Sequence, residues 1–189
     1  MCDVPVFYAT IDGHTRRLAE CISETIREEG LTSNPIEIGS AKAEQFDWSR
    51  ARAVFVGAPI HFGKHPQSAA LFVQRHLEAL GAKPSGFFSV SLGCGFGTAP
   101  EVEAARAQSR AFMKDAGWRP DLTACFGGML AYRRYGFLKR MMMRRMARKA
   151  GGPTDITRNY DFTDWRDVQA LAREMASMMR PDMVRRRAG

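Results

Sequence analysis

Apolar positions follow two rhythms along this chain. Residues 4–9, 53–58, 86–92 and 122–127 are nearly continuous apolar runs of strand length, as in parallel strands covered on both faces. Between them the spacing becomes helical. Residues 15–29 place Leu18, Cys21, Ile22, Thr25 and Ile26 on one face, and Gly30 ends the helix. Residues 66–80 form a second helix with Leu71, Phe72, Leu77 and Leu80 as core contacts, and residues 100–116 a third. Thr163-Asp164-Trp165 opens a closing helix that runs toward Met178. Residues 34–38 read as a short strand that Pro35 confines to a sheet edge, and residues 42–50 as a loop or ragged helix.

Strands alternating with helices at regular intervals predict an α/β domain: a doubly wound, five-stranded parallel sheet with right-handed crossovers, in the order 2-1-3-4-5. Such sheets bind ligands beyond the carboxyl ends of their strands, at the switch point beside strand 1. Three loops are expected there, at residues 10–15, 58–65 and 92–98. The domain spans residues 1–180, with an insertion at about residues 131–150 and a basic tail at 181–189.

The first loop is Thr10-Ile11-Asp12-Gly13-His14-Thr15. Strand, tight turn and helix put an anion at a helix N-terminus, where N–H groups lack partners and the macrodipole favours negative charge. Thr10 and Thr15 add hydroxyls, and Gly13 lets the backbone turn. No lysine follows, so this is not a nucleoside-triphosphate loop, and a monophosphate fits better. Taken alone, the turn is equally a ligand-free helix start capped by Asp12. The second loop offers Pro59, Ile60, His61, Phe62 and Gly63, flat or apolar groups able to lie against a ring. The third, Leu92-Gly93-Cys94-Gly95-Phe96-Gly97, is glycine-rich, so its N–H groups can approach a heterocycle edge. Its G-x-G-x-G spacing is not the dinucleotide fingerprint, and no acidic residue follows to hold a ribose. A planar ring ending in a phosphate matches flavin mononucleotide (FMN). His61 is the candidate proton acceptor by position, and packing on the sheet rim is the alternative for His61 and Phe62.

Composition narrows the class. The 189 residues are 45% hydrophobic and 25% charged, as in soluble globular proteins, and no stretch approaches a membrane span. With no signal-like N-terminus, a cytoplasmic protein is expected. Cys2, Cys21, Cys94 and Cys125 show no paired spacing and read as reduced thiols, and neither they nor the histidines suggest a metal. The net charge of +8 asks for an anionic partner, and it is concentrated. Residues 122–154 contain no Asp or Glu but include Arg133, Arg134, Lys139, Arg140, Arg144, Arg145, Arg148 and Lys149. Nucleic acid is a poor match, because aromatic and basic residues are not interleaved on a recognisable module.

Residues 8–15, Tyr8-Ala9-Thr10-Ile11-Asp12-Gly13-His14-Thr15, resemble the phosphate loop of flavodoxin-like proteins. Asp12 stands where flavodoxins carry threonine, a departure shared by the menaquinone-dependent protoporphyrinogen IX dehydrogenases. The likeness to that family continues through Val56-Gly57-Ala58, Phe88-Ser89-Val90, Trp118-Arg119-Pro120-Asp121 and Tyr132-Arg133-Arg134-Tyr135. It extends to Gly151-Gly152-Pro153-Thr154-Asp155 and Thr163-Asp164-Trp165, covering nearly the whole chain. The resemblance implies FMN-dependent oxidation of protoporphyrinogen IX, with menaquinone or another quinone as acceptor, on the inner face of the membrane. A flavodoxin-type electron carrier, or a quinone reductase with another donor, is the alternative. Asp12 is expected to turn away and cap the helix while backbone N–H groups hold the phosphate.

Members of that family also carry a basic, apolar insertion after the fifth strand. Here a helix would place Arg140, Arg144 and Arg148 on one side and Met142, Met143, Met146 and Ala147 on another. So many methionines are unusual for a solvated connector. The segment is expected to contact an anionic membrane surface and quinone, or to hold the propionates of a porphyrinogen. Oligomeric state is open.

Overall fold

The computed structural model describes residues 2–180; the basic tail at 181–189 lies outside the described residues. Strands β1 (Val4–Tyr8), β2 (Ser33–Glu37), β3 (Val54–Pro59), β4 (Ser85–Ser91) and β5 (Leu122–Gly127) form one parallel sheet. Its order is β2-β1-β3-β4-β5, as the sequence predicts. The proline-bearing β2 is indeed an edge strand.

Alternation along β1 divides the core. Val4, Val6 and Tyr8 join Leu18 and Ile22 of α1 (His14–Glu28) in a cluster on one face. Val168 and Met175 of the closing helix, Trp165–Met178, complete it. Phe7 points the other way, to Val56, Phe72, Phe87 and Trp118. Between β3 and β4 two glycines let phenylalanines lie flat on the neighbouring strand. Gly57 is paired with Phe88 and Phe55 with Gly86. A Cβ on Gly57 would stand 2.0 Å from the Phe88 ring, and one on Gly86 would stand 2.2 Å from Phe55.

Two helical readings need correction. Residues 66–80 are two helices, α3 (Gln67–Arg75) and α4 (Leu77–Gly81), divided at His76. The break turns the surface: Ala69, Phe72, Val73 and Leu80 go inward, while Leu71 is exposed and Leu77 borders on it. Residues 42–50 are the expected ragged stretch, the short helix α2 (Ala41–Glu44) followed by a 3-10 turn at Trp48–Arg50. The glycine-rich third loop is itself a short helix, α5 (Gly93–Phe96). It leads into α6 (Ala99–Asp115), whose start carries a reciprocal cap between Thr98 and Glu101.

The expectation of four reduced thiols fails for two. Cys94 on α5 and Cys125 on β5 form a disulfide, while Cys2 and Cys21 are free. The pair is 31 residues apart in sequence, so no local spacing announces it; the fold brings α5 against β5.

After β5 the insertion builds a small unit of its own. Strand β6 (Met129–Leu130) pairs antiparallel with β7 (Tyr160–Asp161) and brackets helix α7 (Phe137–Lys149), with the closing helix as α8. A third cluster of Leu130, Tyr132, Tyr135, Met143 and Ala147 fixes α7 to the domain. Two hydrogen bonds end the helix, from Gly151 N–H to Arg148 O and from Gly152 N–H to Ala147 O, with Gly151 at positive φ. This is a Schellman stop, which accounts for the paired glycines. Among the described residues no helix is long and apolar enough to cross a membrane.

Candidate functional site at the carboxyl end of the sheet

The turn after β1 leaves the N-terminus of α1 open. Gly13, at φ 83°, precedes the first helical residue, and no side chain caps the helix. Thr10 Oγ1 accepts from Gly13 N–H at 3.0 Å, closing the turn on itself. Thr15 is buried in the first helical turn. The expected cap by Asp12 is absent. Its carboxylate instead accepts from Lys139 Nζ of α7, at 2.8 and 3.1 Å. A cation 127 positions along the chain therefore holds the carboxylate, and the start of α1 stays without a side-chain cap, open to an anion.

A second cation stands beside this turn. Arg134 Nη1 lies 3.9 Å from where a Cβ on Gly13 would be. Lys139 also sits over the Tyr135 ring, 4.6 Å from its centroid, which holds the ammonium in place.

His14, expected in the phosphate loop, faces into the protein. Its Nε2 lies 2.8 Å from Thr163 Oγ1 and 3.6 Å from Asp161. Thr163 Oγ1 donates to Gly127 O, so it must accept from His14, which assigns the imidazole proton to Nε2. Burial lowers the His14 pKa, opposed by the Asp161 charge, so the ring is neutral. Asp164 caps α8 through Arg166 N–H, and Trp165 meets the His14 ring edge-on at 6.0 Å. The Thr-Asp-Trp segment thus ties the end of the insertion to the start of α1. Nothing in its local spacing announces that contact.

The loop after β3 ends in a two-residue hairpin. His61 N–H donates to Lys64 O and Lys64 N–H to His61 O, with Phe62 and Gly63 at φ 47° and 76° between them. That is type I′ geometry, strained at a phenylalanine, whose ring is nonetheless exposed. His61 is half-buried beside it, ring centroids 4.4 Å apart. The other histidine, His65, packs against Phe112 and Phe87, and its Nδ1 meets Pro59 O at 3.1 Å. Burial holds its pKa at about 4.

One cavity of about 90 Å³ joins the first two loops. Thr10, Ile11, Asp12, His14 and Thr15 line it with Pro59, Ile60 and His61. From the third loop only Leu92 reaches it, following Val90 and Ser91 of β4. Tyr135, Lys139 and Met143 close it from the insertion, a wall that the sequence reading did not place there. Gly93, Phe96 and Gly97 line a different cavity. The N–H groups of Gly93, Gly95, Phe96 and Gly97 are already bonded within the segment. Its glycines also answer to packing: a Cβ on Gly95 would stand 2.5 Å from Phe162.

The remaining basic residues divide. Arg140 and Arg144 are half-buried, their Nε atoms sheltered, and Arg140 donates to Tyr135 O. Arg133, Arg145 and Arg148 are exposed. The expected methionine side splits as well. Met143 and Ala147 face inward, while Met142 and Met146 join Phe137, Leu138 and Met141 on the open face.

Comparison with known proteins agrees with this architecture. The family profile described as "Flavodoxin domain" matches residues 5–157. Protoporphyrinogen IX dehydrogenase [quinone] of Escherichia coli (strain K12) is 31% identical over 175 residues, covering 92% of this chain and 94% of that protein. Among solved structures, oxidised flavodoxin 1 from Bacillus cereus superposes with a TM-score of 0.52 at 15% identity, over 94% of this chain and 99% of its own. The rubredoxin oxygen:oxidoreductase of Desulfovibrio gigas gives a TM-score of 0.52 at 17% identity; 92% of this chain matches 35% of that one.

Proposed function

We infer the function from a premise that the comparisons supply: the chain belongs to the flavodoxin domain family and, within it, to the quinone-dependent protoporphyrinogen IX dehydrogenases. It is an FMN-dependent oxidoreductase that converts protoporphyrinogen IX to protoporphyrin IX, with menaquinone or another quinone as acceptor, in haem biosynthesis. One observation carries this reading beyond kinship. A single cavity at the switch point joins an uncapped helix N-terminus to a flat, apolar loop, with insertion residues as its wall.

The donor set suits FMN. With the Gly13 N–H already held by Thr10 Oγ1, the uncapped N–H groups at the start of α1 and the Thr10 and Thr15 hydroxyls would donate to a phosphate. Arg134 and Lys139 offset its charge and the Asp12 carboxylate. Pro59, Ile60, His61 and Phe62 provide a surface for the ring. The enclosed space of about 90 Å³ is smaller than the whole cofactor, but Lys139 and Met143, which close it, are long, unbranched side chains. When bound, FMN supplies an acceptor for the porphyrinogen's electrons and a donor to the quinone. His61 accepts the departing proton at a ring nitrogen, from its place at the cavity wall.

The exposed face of α7 attaches the protein peripherally to the inner face of the cell membrane. It presents Phe137, Leu138, Met141, Met142 and Met146 with Arg145 and Arg148, the mixed apolar and basic surface that an anionic leaflet attracts. Residues 1–180 act as one FMN-binding domain. Titration of apoprotein with FMN, FAD and riboflavin tests the cofactor reading. FMN is expected to bind tightest and riboflavin to lose the phosphate contribution; equal binding of riboflavin and FMN would reject the assigned phosphate turn.

A further inference from the structure

The second cavity, of about 270 Å³, lies between α5 and α7. Leu92, Phe96, Leu130, Met143, Met146 and Ala147 make its walls apolar. Leu92 and Met143 line both cavities, so one layer of side chains separates the cofactor site from this space. On the other side Met146 is 48% exposed, continuing the lining onto the apolar outer face of α7. Two charged residues stand exposed among the lining residues. Glu101 is committed to the Thr98 N–H and hydroxyl. Lys149 makes no ion pair among the described residues.

We propose that this cavity is the quinone site, the ring seated against Leu92 and Met143 and the prenyl tail leaving past Met146 toward the bilayer. The proposal rests on the quinone-linked reading above and gives that acceptor a place. Size and polarity select the ligand. The volume sits just below the roughly 300–1,000 Å³ of ordinary ligand pockets, enough for a bicyclic ring but not for a tetrapyrrole. A porphyrinogen also carries two carboxylates, and one lysine among apolar walls does not answer them. A quinone needs apolar walls and a donor for a carbonyl oxygen, which Lys149 can supply. Methionine side chains adapt to a ring that must enter and leave. The chemistry balances: each oxidation step removes two electrons and two protons from the porphyrinogen. The quinone gains two of each and departs as the quinol.

The test uses FMN-loaded protein and an azido-substituted prenyl naphthoquinone, with and without excess unlabelled quinone. Light should place the competed label on peptides containing residues 92–97 and 143–150. In turnover, Met146→Glu puts a carboxylate at the mouth without disturbing a buried position. It should raise the KM for a prenylated quinone about tenfold, the equivalent of about 1.4 kcal/mol, while FMN affinity stays within about twofold. Ala147→Phe, which fills the cavity, should do the same if thermal unfolding shows it folded. Competed labelling elsewhere, or an unchanged KM in Met146→Glu, overturns the site even where quinone turns over. If no quinone reoxidises the reduced protein, the quinone-linked function falls and the site with it.

Discussion

Asp12 and Lys139 form an exposed pair that contributes little to stability, about 0–1 kcal/mol, so its meaning lies in the charge it sets at the turn proposed to hold the phosphate. Lys139→Ala should leave a bare carboxylate facing an incoming dianion and weaken FMN about five- to tenfold, at an effective cost near 1 kcal/mol. Asp12→Asn added to it should restore most of the affinity, a coupling that fluorescence titration of the four proteins measures. A tenfold loss that persists in the double variant would instead make Lys139 a direct phosphate ligand. His65 offers a test by pH. Its folded pKa of about 4 lies below the ordinary 6.5, so its contribution is complete above pH 6.5. As pH falls from 6.5 toward 4, the unfolded chain takes up a proton that the folded chain resists. Stability should drop over that window by at most about 3 kcal/mol. His65→Phe should flatten that slope in urea titrations. Residue roles were the least legible part of the sequence. The turn at Thr10 to Thr15 leading into a helix could be read from local rules, but the partner of Asp12 lies 127 positions along the chain.

Strands and most helices were legible because their signals are local: apolar runs for β1, β3, β4 and β5, and a clear stripe for α1. Alternation predicted the parallel sheet, and five such strands fit the order β2-β1-β3-β4-β5 that is observed. Helix α7 was legible as a helix but not in its orientation. Its inward stripe mixes Met143 and Ala147 with Arg140 and Arg144, both half-buried with sheltered Nε atoms, so polarity misreports burial. The break at His76 and the pairing of β6 with β7 carried no signal strong enough to predict. At the same scale, Gly57→Ala drives a methyl into the Phe88 ring in the middle of the sheet. It should destabilise the protein by about 1–3 kcal/mol, read as a lower urea midpoint at unchanged m-value. The Cys94–Cys125 link holds α5 on β5. Reduction, or Cys125→Ser, should cost about 3–4 kcal/mol in the chain-entropy account, with thiol counting to show the bond is gone.

Along the chain the positive charge is concentrated at residues 122–154, which hold eight Lys and Arg and no Asp or Glu, within a net charge of +8. Attachment to vesicles should be stronger on anionic than on neutral lipid. It should fade as salt rises from about 0.1 to about 1 M and the Debye length falls from about 10 to about 3 Å. Replacing Arg145 and Arg148 with glutamine removes two exposed cations, each worth about 1 kcal/mol near an anionic surface, and should weaken vesicle binding about thirtyfold. FMN titration should stay unchanged, since neither residue lines the 90 Å³ cavity. Flotation that is indifferent to salt and to these substitutions would contradict the membrane assignment alone. The account as a whole turns on the passage of electrons from porphyrinogen to quinone through one bound FMN. The direct measurement is anaerobic stopped-flow absorbance of the FMN-loaded protein, mixed first with protoporphyrinogen IX and then with a menaquinone analogue. The expected record is bleaching of the flavin band with appearance of porphyrin, followed by full recovery on adding the quinone. A flavin band that protoporphyrinogen leaves untouched, while a general reductant bleaches it, would contradict the account.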